Sequence, residues 1–257
     1  MMLSIVTVCH NSAVVLQNAL ASLRAQSYED REWVVIDAAS TDGTLEIIRT
    51  SGEKLGNWIS EPDGGIFDAM NKGWQRAQGD VVYFLNSDDA LYDDAVLARV
   101  ADAFDNDPML DLVVGEIVYC LQDGRVLCRS FRHIDANSLV YEDLCHQAVF
   151  ARRALFERIG GFNASFRINA DYDWLLRALR VGARVGWLDQ PVAYFSTGGM
   201  HTRNFDQLVV ERENVRRQYV SGSRLQMGLL RRRITRRLGL MLGLDPLGQP
   251  RRALDSR

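Results

Sequence analysis

The sequence has few cysteines and no long apolar run. Its 257 residues include four cysteines, none of them in a C-x-x-C pair: Cys9, Cys120, Cys128 and Cys145. This number and spacing suggest neither a disulfide framework nor a structural zinc site, so we expect reduced thiols in a cytoplasmic protein. No run of about 18 residues is uninterruptedly apolar, which predicts no transmembrane helix and limits any membrane contact to the periphery.

We expect no targeting leader, and we find no internal repeats and no low-complexity segments in the sequence. Its first ten residues have no basic leader and no small-residue cleavage site, and we interpret them as a first strand rather than a secretory signal. The apolar share of 47% and the charged share of 25% are ordinary for a globular protein. The length suits one large α/β domain or two small ones.

Positive charge is scarce in the body and concentrated at the end of the chain. Residues 201–257 contain 13 Arg and no Lys against 5 acidic residues, so this tail carries about +8. Residues 1–200 carry about −11. An acidic body does not attract an anionic nucleotide by its overall field, so a bound metal ion would have to neutralise a diphosphate locally.

Short strands alternate with helices in the first 90 residues. Apolar runs at residues 2–8, 32–37 and 80–85 predict buried strands, with a shorter strand at 58–60. Helical spacing follows each early strand, beginning after a predicted N-cap at Asn11-Ser12. This order predicts a doubly wound, mostly parallel sheet with helices on both faces.

The second half of the body is expected to be mixed rather than purely parallel. A helix is predicted at residues 93–104 and strands at 112–120 and 126–131, with a hairpin turn at Gly124. From about residue 207 the chain again has helical spacing. We therefore expect a catalytic domain over 1–205, divided into halves at 1–90 and 91–205, and a basic amphipathic helical tail over 206–257.

The strand at residues 80–85 leads into Asn86-Ser87-Asp88-Asp89, where two carboxylates are adjacent. Ligands of open α/β sheets bind beyond the carboxyl ends of the strands, and a pair of carboxylates there suits Mg²⁺ or Mn²⁺. Polar clusters also follow the strands that end near Cys9 and Asp37, so the three clusters should meet along one edge of the sheet. A simple turn after a strand is the alternative interpretation.

Five motifs in order resemble the inverting family 2 glycosyltransferases, which have the GT-A nucleotide-sugar-binding fold. They lie at residues 4–11, 34–44, 68–80, 85–89 and 170–177. The resemblance implies transfer of a sugar from a nucleoside diphosphate to a hydroxyl of a saccharide or lipid-linked saccharide, of the kind used in bacterial cell-surface polysaccharide synthesis. It also implies Mg²⁺ or Mn²⁺ as the cofactor.

On the donor side, the resemblance assigns the metal to Asp89 and a ribose or sugar contact to Asp88. Asp37 matches a carboxylate near the nucleobase and ribose, but Ala38 replaces the second Asp of many relatives, which leaves the identity of the base open. Further nucleotide-binding candidates are Thr7, Asn11, Asp63, Lys72 and His201.

On the acceptor side, Asp171 aligns with the general base of the family. Inversion requires a base on the face of the anomeric carbon opposite the leaving diphosphate. Asp173 is the alternative base, and a purely structural role for both at a helix N-terminus also stays open. His146 matches a histidine beside the acceptor site and is predicted to orient Asp171 or to bind acceptor.

The arginine-rich tail allows two interpretations. Apolar residues at helical intervals among arginines over 207–244 suit the surface of an anionic membrane, at the inner face of the cytoplasmic membrane. The same pattern suits a helix packed on the acidic body or on a second subunit, as in a homodimer. Nucleic-acid binding is not expected, because the body is acidic and lacks interleaved aromatic residues.

An alternative to the enzyme is a non-catalytic nucleotide-sugar-binding or scaffold protein of the same fold. The presence of all three carboxylates, Asp37, Asp89 and Asp171, favours the transferase. A nucleotidyltransferase is disfavoured because no glycine-rich basic loop follows the first strand.

Overall fold

The computed structural model describes residues 1–52, 55–121, 123–196 and 204–230. Its strands are β1 (Leu3–Cys9), β2 (Arg31–Asp37), β3 (Leu55–Ser60), β4 (Val81–Phe84), β5 (Ala90–Leu91), β6 (Leu112–Cys120), β7 (Val126–Arg129), β8 (Val149–Arg152) and β9 (Val185–Ser196). Its helices are α1 (Leu16–Arg24), α2 (Thr44–Arg49), α3 (Ile66–Arg76), α4 (Val96–Asn106), α5 (Arg153–Ile159), α6 (Ala170–Arg180) and α7 (Phe205–Arg217). A 3-10 turn covers His146–Ala148, and residues 222–230 are helical.

The nine strands form one sheet with the order β3-β2-β1-β4-β8-β6-β9-β5, and β7 pairs with β6. The pairs among β3, β2, β1 and β4 are parallel, as is β6 with β9, whereas β8 runs antiparallel to both β4 and β6. The predicted α/β fold class is confirmed, with a parallel first half and a mixed second half.

In the parallel half, β1, β2 and β4 are buried on both faces, which explains their continuous apolar sequences, whereas the edge strand β3 is largely exposed. Every residue of β1 is buried, and so are the last six residues of β2. Helix α3 packs so closely on this sheet that a Cβ at Gly73 would lie 2.3 Å from Cγ1 of Val6. The absence of a side chain at Gly73 therefore permits the close approach that places the loop before α3 beside the strand ends.

The first helix begins later than predicted. Residues 13–15 form a turn, Val14 is 92% exposed, and α1 begins at Leu16 without a side-chain cap. Ser12 instead joins the strand ends, because its backbone N–H donates to Oγ1 of Thr44 at 2.8 Å and its hydroxyl accepts from Ser87 at 3.1 Å. The predicted N-cap is thus part of the polar edge of the sheet.

The described part of the predicted tail packs on the body. In α7, Val215 is fully buried and Glu211 is 9% exposed. Leu225, in the following helical segment, is 3% exposed. The guanidinium of Arg212 lies 5.1 Å from the ring centre of Tyr172 on α6, and Nε of Arg216 donates to the Tyr172 hydroxyl. Over these residues the structure supports the alternative of a helix packed on the body.

Candidate active site

A cavity of about 650 Å³ opens at the carboxyl edge of the parallel strands. Its wall includes residues that follow β1, β2 and β4, the start of α3, the end of β9 and the N-terminal turn of α6. The three strand ends that were predicted to meet at one edge of the sheet do so here. Residues that follow each strand line the wall: His10 and Ser12, Ala38, and Asn86, Ser87 and Asp88.

The two adjacent aspartates point to different surroundings. Asp88 is exposed and lines the cavity. Asp89 is 2% exposed, and its carboxylate accepts hydrogen bonds from Nε2 of Gln147 at 2.8 Å and from the backbone N–H of Ser196 at 3.0 Å. Burial, together with the charge of Asp88, raises the pKa of Asp89 to about 7. The described cavity wall therefore presents Asp88, and Asp89 lies behind it.

Asp171 lines the cavity from the opposite half of the protein, in the first turn of α6. Its Oδ2 lies 2.9 Å from Nδ1 of His146, and its Oδ1 accepts from the backbone N–H of Tyr172 at 2.8 Å. Nε2 of His146 lies 3.4 Å from Nδ2 of Asn86, next to the carboxylate pair. The two ring nitrogens of His146 thus lie beside polar groups of the two sides of the site, Nδ1 beside Asp171 and Nε2 beside Asn86.

Asp173, the alternative base, does not line the cavity. Its Oδ2 accepts from Nε of Arg177 at 2.9 Å, and the side chain of Asp173 is 7% exposed. The same guanidinium donates to the carbonyl groups of Ile159 and Gly161. The structure thus assigns Asp173 to the packing of α6, and it leaves Asp171 as the carboxylate of this helix that meets the cavity.

Two neighbouring side chains of the 3-10 turn join the two halves of the site. His146 contacts Asp171, whereas Gln147 donates to Asp89. The carbonyl of Gln147 accepts from the hydroxyl of Tyr83 on β4 at 2.9 Å, which fixes the turn against the sheet. Gln147 is fully buried, so its bonds are made without competition from water. The turn therefore sets the position of the acceptor-side carboxylate relative to the donor-side pair.

Three of the predicted nucleotide-binding residues lie off the cavity wall. Thr7 is 1% exposed and accepts from Nε1 of Trp33. Asp37 is fully buried and accepts from the backbone N–H of Ser40 and the hydroxyl of Ser60, so it joins the ends of β2 and β3. Lys72 makes ion pairs with Glu61 at 2.8 Å and Asp68 at 3.3 Å. In this structure the three residues have structural partners instead of facing the cavity.

The remaining donor-side candidates differ in their position relative to the cavity. Asp63 lines the cavity in the loop before α3, where Oδ1 accepts from the N–H of Gly65 at 2.9 Å. Asn11 has a positive φ of 49° and lies beside the cavity residue His10. The side-chain oxygen of Asn11 accepts from the backbone N–H of Thr41, and its side-chain nitrogen lies 3.3 Å from Nε2 of His10. His201 lies outside the described residues.

The described residues contain no group of three or more His, Cys, Asp or Glu side chains placed to hold a metal ion by themselves. Mg²⁺ and Mn²⁺ in nucleotide sites are commonly held by one or two carboxylates, with substrate phosphates and water completing the coordination. The exposed carboxylate of Asp88, backed by Asp89, fits this kind of shared site. The residues present are therefore compatible with a divalent cation that arrives with a diphosphate.

Several site residues were not predicted from the sequence. His10 and Gln147 are each adjacent to a predicted residue, and Arg167 precedes Asp171 by four positions, so proximity to a motif is the signal that could have identified them. Glu211 has no such signal. Its carboxylate accepts from the backbone N–H groups of Arg167, Ile168 and Asn169, about 40 residues earlier in the chain.

Known proteins resemble this chain in sequence. The model of glycosyl transferase family 2 matches residues 4–160, more than half of the chain. A PGL/p-HBAD biosynthesis glycosyltransferase of Mycobacterium tuberculosis is 34% identical over 242 residues, which is 90% of each chain. The O-antigen biosynthesis protein RfbC of Myxococcus xanthus is 29% identical over 203 residues, which cover 77% of this chain and 16% of that protein.

Solved structures share the fold. Residues 1–349 of S. aureus TarS in complex with UDP-GlcNAc match with a TM-score of 0.69 and 22% identity, covering 96% of this chain and 74% of that one. A mannosyltransferase of Pyrobaculum calidifontis in complex with GDP-Man and Mn²⁺ matches with a TM-score of 0.59 and 20% identity, covering 77% of this chain and 57% of that one.

Among the helices that the structure describes here, none has the length and hydropathy needed to cross a membrane.

Proposed function

The chain belongs to glycosyl transferase family 2 and is a glycosyltransferase, and we propose that it is an inverting, metal-dependent enzyme of cell-surface polysaccharide synthesis. It transfers a sugar from a nucleoside diphosphate to a hydroxyl of a saccharide or lipid-linked acceptor. The observation that carries this proposal is the cavity itself, which has Asp88 on its donor side and the Asp171–His146 pair on its acceptor side.

We assign the base to Asp171. Its carboxylate takes the proton of the acceptor hydroxyl while that oxygen bonds to the anomeric carbon, and the bond from this carbon to the diphosphate oxygen breaks with its electron pair going to the diphosphate. His146 orients the base, since its Nδ1–H donates to Oδ2 of Asp171. Attack on the face opposite the leaving group inverts the anomeric configuration.

We assign the metal contact to Asp88, with Asp89 as its buried neighbour. The resemblance had instead assigned the metal to Asp89 and a ribose or sugar contact to Asp88. Asp88 is the member of the pair on the cavity wall, whereas both oxygens of Asp89 accept protein hydrogen bonds. A bound Mg²⁺ or Mn²⁺ would stabilise the negative charge that develops on the departing nucleoside diphosphate. Asp63 and His10 are our candidates for contacts with the nucleotide, because both line the cavity near the ends of the parallel strands.

A panel of UDP-, GDP- and dTDP-sugars, tested by thermal shift with Mn²⁺, checks the proposal. A ligand present at about 100 times its Kd stabilises by about 2.7 kcal/mol. For a chain of this size, this raises Tm by about 5–10 °C. We expect one nucleotide class to do so, EDTA to remove the shift, and the same donor to be slowly hydrolysed. Binding without turnover, in the presence of any saccharide acceptor, would favour the non-catalytic alternative.

We also propose peripheral contact with an anionic membrane, restricted to the end of the tail. The body-facing side of the described tail is occupied, but Met227 and Leu230 are 64% and 57% exposed. Five arginines follow within residues 231–237, which lie outside the described part. Exposed apolar side chains continued by a basic segment have the composition of a membrane-surface element. A cytoplasmic location and a homodimer stay predictions.

A further inference from the structure

The described wall of the cavity contains three carboxylates and a single arginine or lysine. The carboxylates belong to Asp63, Asp88 and Asp171, and the cation is Arg167. Lys72, the cation predicted from sequence to reach a phosphate, is paired with Glu61 and Asp68 away from this wall. Arg167 is therefore the permanently charged cation that a negatively charged substrate group can meet on the described wall.

The guanidinium of Arg167 has no partner among the described residues. The side chain is exposed, and the hydrogen bond recorded for this residue is made by its backbone N–H. By contrast, the guanidinium groups of Arg177 and Arg212, on α6 and α7, hold Asp173 and Asp143. A guanidinium presents five N–H donors in a planar fork that matches phosphate and carboxylate, so an unpaired one on a cavity wall is suited to an anionic ligand.

The backbone beneath this side chain is anchored. The Glu211 carboxylate accepts from the N–H groups of Arg167 at 3.0 Å, Ile168 at 2.9 Å and Asn169 at 3.2 Å. Glu211 is 9% exposed and is also held by Nε2 of Gln207 at 2.9 Å. Because three consecutive backbone amides are held, the backbone of Arg167 is already ordered. Binding of an anion therefore costs only the conformational entropy of the Arg167 side chain.

Arg167 belongs to the acceptor side of the cavity. It lies on the loop that enters α6, four residues before Asp171, and Ile168 from the same loop also lines the wall. The donor side is made by residues after β1, β2 and β4, where Asp88 would share a divalent cation with the diphosphate. A group bound by Arg167 therefore lies on the same side of the cavity as the hydroxyl that Asp171 deprotonates.

We propose that Arg167 binds a phosphate or carboxylate group of the acceptor, so that the enzyme glycosylates an anionic saccharide close to its charged group. This inference rests on the proposed function, because it takes Asp171 as the base that defines the acceptor side. It narrows the acceptor from any saccharide to one with a negative charge near the reacting hydroxyl.

The test uses the full chain saturated with Mg²⁺ and the nucleoside diphosphate that the thermal-shift panel identifies. Binding of glucose, glucose 6-phosphate and glucuronic acid is then measured by saturation-transfer NMR. We expect one anionic sugar to bind at least tenfold more tightly than glucose, and which of the two does so distinguishes phosphate from carboxylate. Arg167→Gln should remove this preference, Arg167→Lys should keep part of it, and Arg217→Gln, which alters an exposed ion pair on α7, should keep all of it.

Equal binding of all three sugars to the wild type would overturn the inference, as would an anion preference that survives Arg167→Gln. Weaker binding of the nucleoside diphosphate itself to Arg167→Gln would assign the residue to the donor instead. Failure of the proposed function has a different signature, because the wild type would then bind no nucleotide in the presence of Mg²⁺ or Mn²⁺.

Discussion

At the scale of single residues, the central feature is a carboxylate held by a histidine at the wall of a cavity. The His146–Asp171 contact is 2.9 Å long, and both side chains are 12% exposed. A base in this position is useful only if it is aimed at the acceptor, and the bond to Nδ1 restricts its rotation. The chemistry proposed for the site therefore depends on two residues 25 positions apart in sequence.

Asp171→Asn should abolish transfer and leave nucleotide binding intact. Removal of a general base costs about 10²–10⁴-fold in kcat, and the amide keeps the size of the carboxylate. Rates with the identified donor and Mn²⁺-dependent thermal shifts of the same samples check this prediction. Asp173→Asn is the matched control, expected to retain most of kcat while lowering Tm, because it breaks the bond to Arg177 inside α6. Equal loss of kcat in both variants would contradict the assignment of the base.

Asp88 and Asp89 should respond differently to substitution. Asp88→Asn removes a carboxylate from the cavity wall and should weaken Mn²⁺-dependent nucleoside diphosphate binding about 10–100-fold, with little change in Tm. Asp89→Leu leaves the donors of Gln147 and Ser196 buried without their acceptor, at a cost of about 1–3 kcal/mol each, so it should lower Tm. Calorimetric titration with and without Mn²⁺ measures the nucleotide affinity, and thermal melts of the same variants measure Tm. If Asp88→Asn binds as the wild type does, Asp89 is restored as the ligand.

At the scale of secondary-structure elements, α7 completes the N-terminus of the helix that carries the base. Asn169, the residue before α6, provides no side-chain cap, and Glu211 of α7 supplies the acceptors instead. Its negative charge also suits the positive end of the α6 dipole. Burial alone would raise the pKa of Glu211, but the hydrogen bonds from the backbone of residues 167–169 and from the side chain of Gln207 together lower it. A helix that the sequence predicts as part of a separate tail therefore holds the loop that contributes Arg167 and Ile168 to the cavity wall.

Glu211→Ala should destabilise the protein by about 2 kcal/mol or more, since three backbone N–H groups lose their acceptor. It should also reduce kcat, because the loop that leads to Asp171 is released. Glu211→Gln, which keeps one acceptor oxygen, should fall between the wild type and Glu211→Ala in both measurements. A Glu211→Ala enzyme with normal kcat would show that the loop keeps its position without the hydrogen bonds to Glu211.

The Glu211 contact also predicts a pH dependence of stability. A carboxylate whose pKa is lowered on folding contributes stability above its unfolded pKa and loses it as the pH falls through the folded pKa. The Tm difference between wild type and Glu211→Gln should therefore be full above pH 4.5, the ordinary glutamate value, and should shrink below it. Thermal melts from pH 7 to pH 3 measure this. A difference that does not change with pH would assign the effect to packing.

At the scale of the whole molecule, charge is divided between an acidic body and a basic end. Arginines in the first part of the basic region contact the body. Arg212 forms an ion pair with Asp143, and Arg216 donates a hydrogen bond to Tyr172. The apolar residues Leu225 and Leu229 of the next segment also pack on the core. The exposed Arg224 and the arginines after residue 230 remain as candidates for contact with an external partner.

Deletion of residues 231–257 should release the protein from anionic vesicles without loss of the fold. Each basic residue near such a surface contributes about 1 kcal/mol, and this contribution is screened by salt. Co-sedimentation with vesicles with and without anionic lipid, at low and high salt, tests it. Neutral vesicles are the control. Equal sedimentation of the truncated and full chains would dispose of the membrane proposal.

The sequence by itself determined the fold class, the family and the position of most strands. β6 was predicted at its observed bounds, because apolar spacing directly reports which residues are buried. It also determined that three strand ends would supply a common polar edge, since parallel strands in one sheet end on the same side.

Only the tertiary structure decided which polar residues face the cavity. The motifs do not distinguish the exposed Asp88 from three other predicted residues, namely Thr7, Asp37 and Asp89. These three are buried against partners that the local sequence pattern does not reveal. Likewise, Glu211 lies 44 positions from Arg167 and reaches it through packing. Hydrophobic periodicity is a local property of the chain, whereas the partner of a polar side chain is set by which distant elements pack beside it.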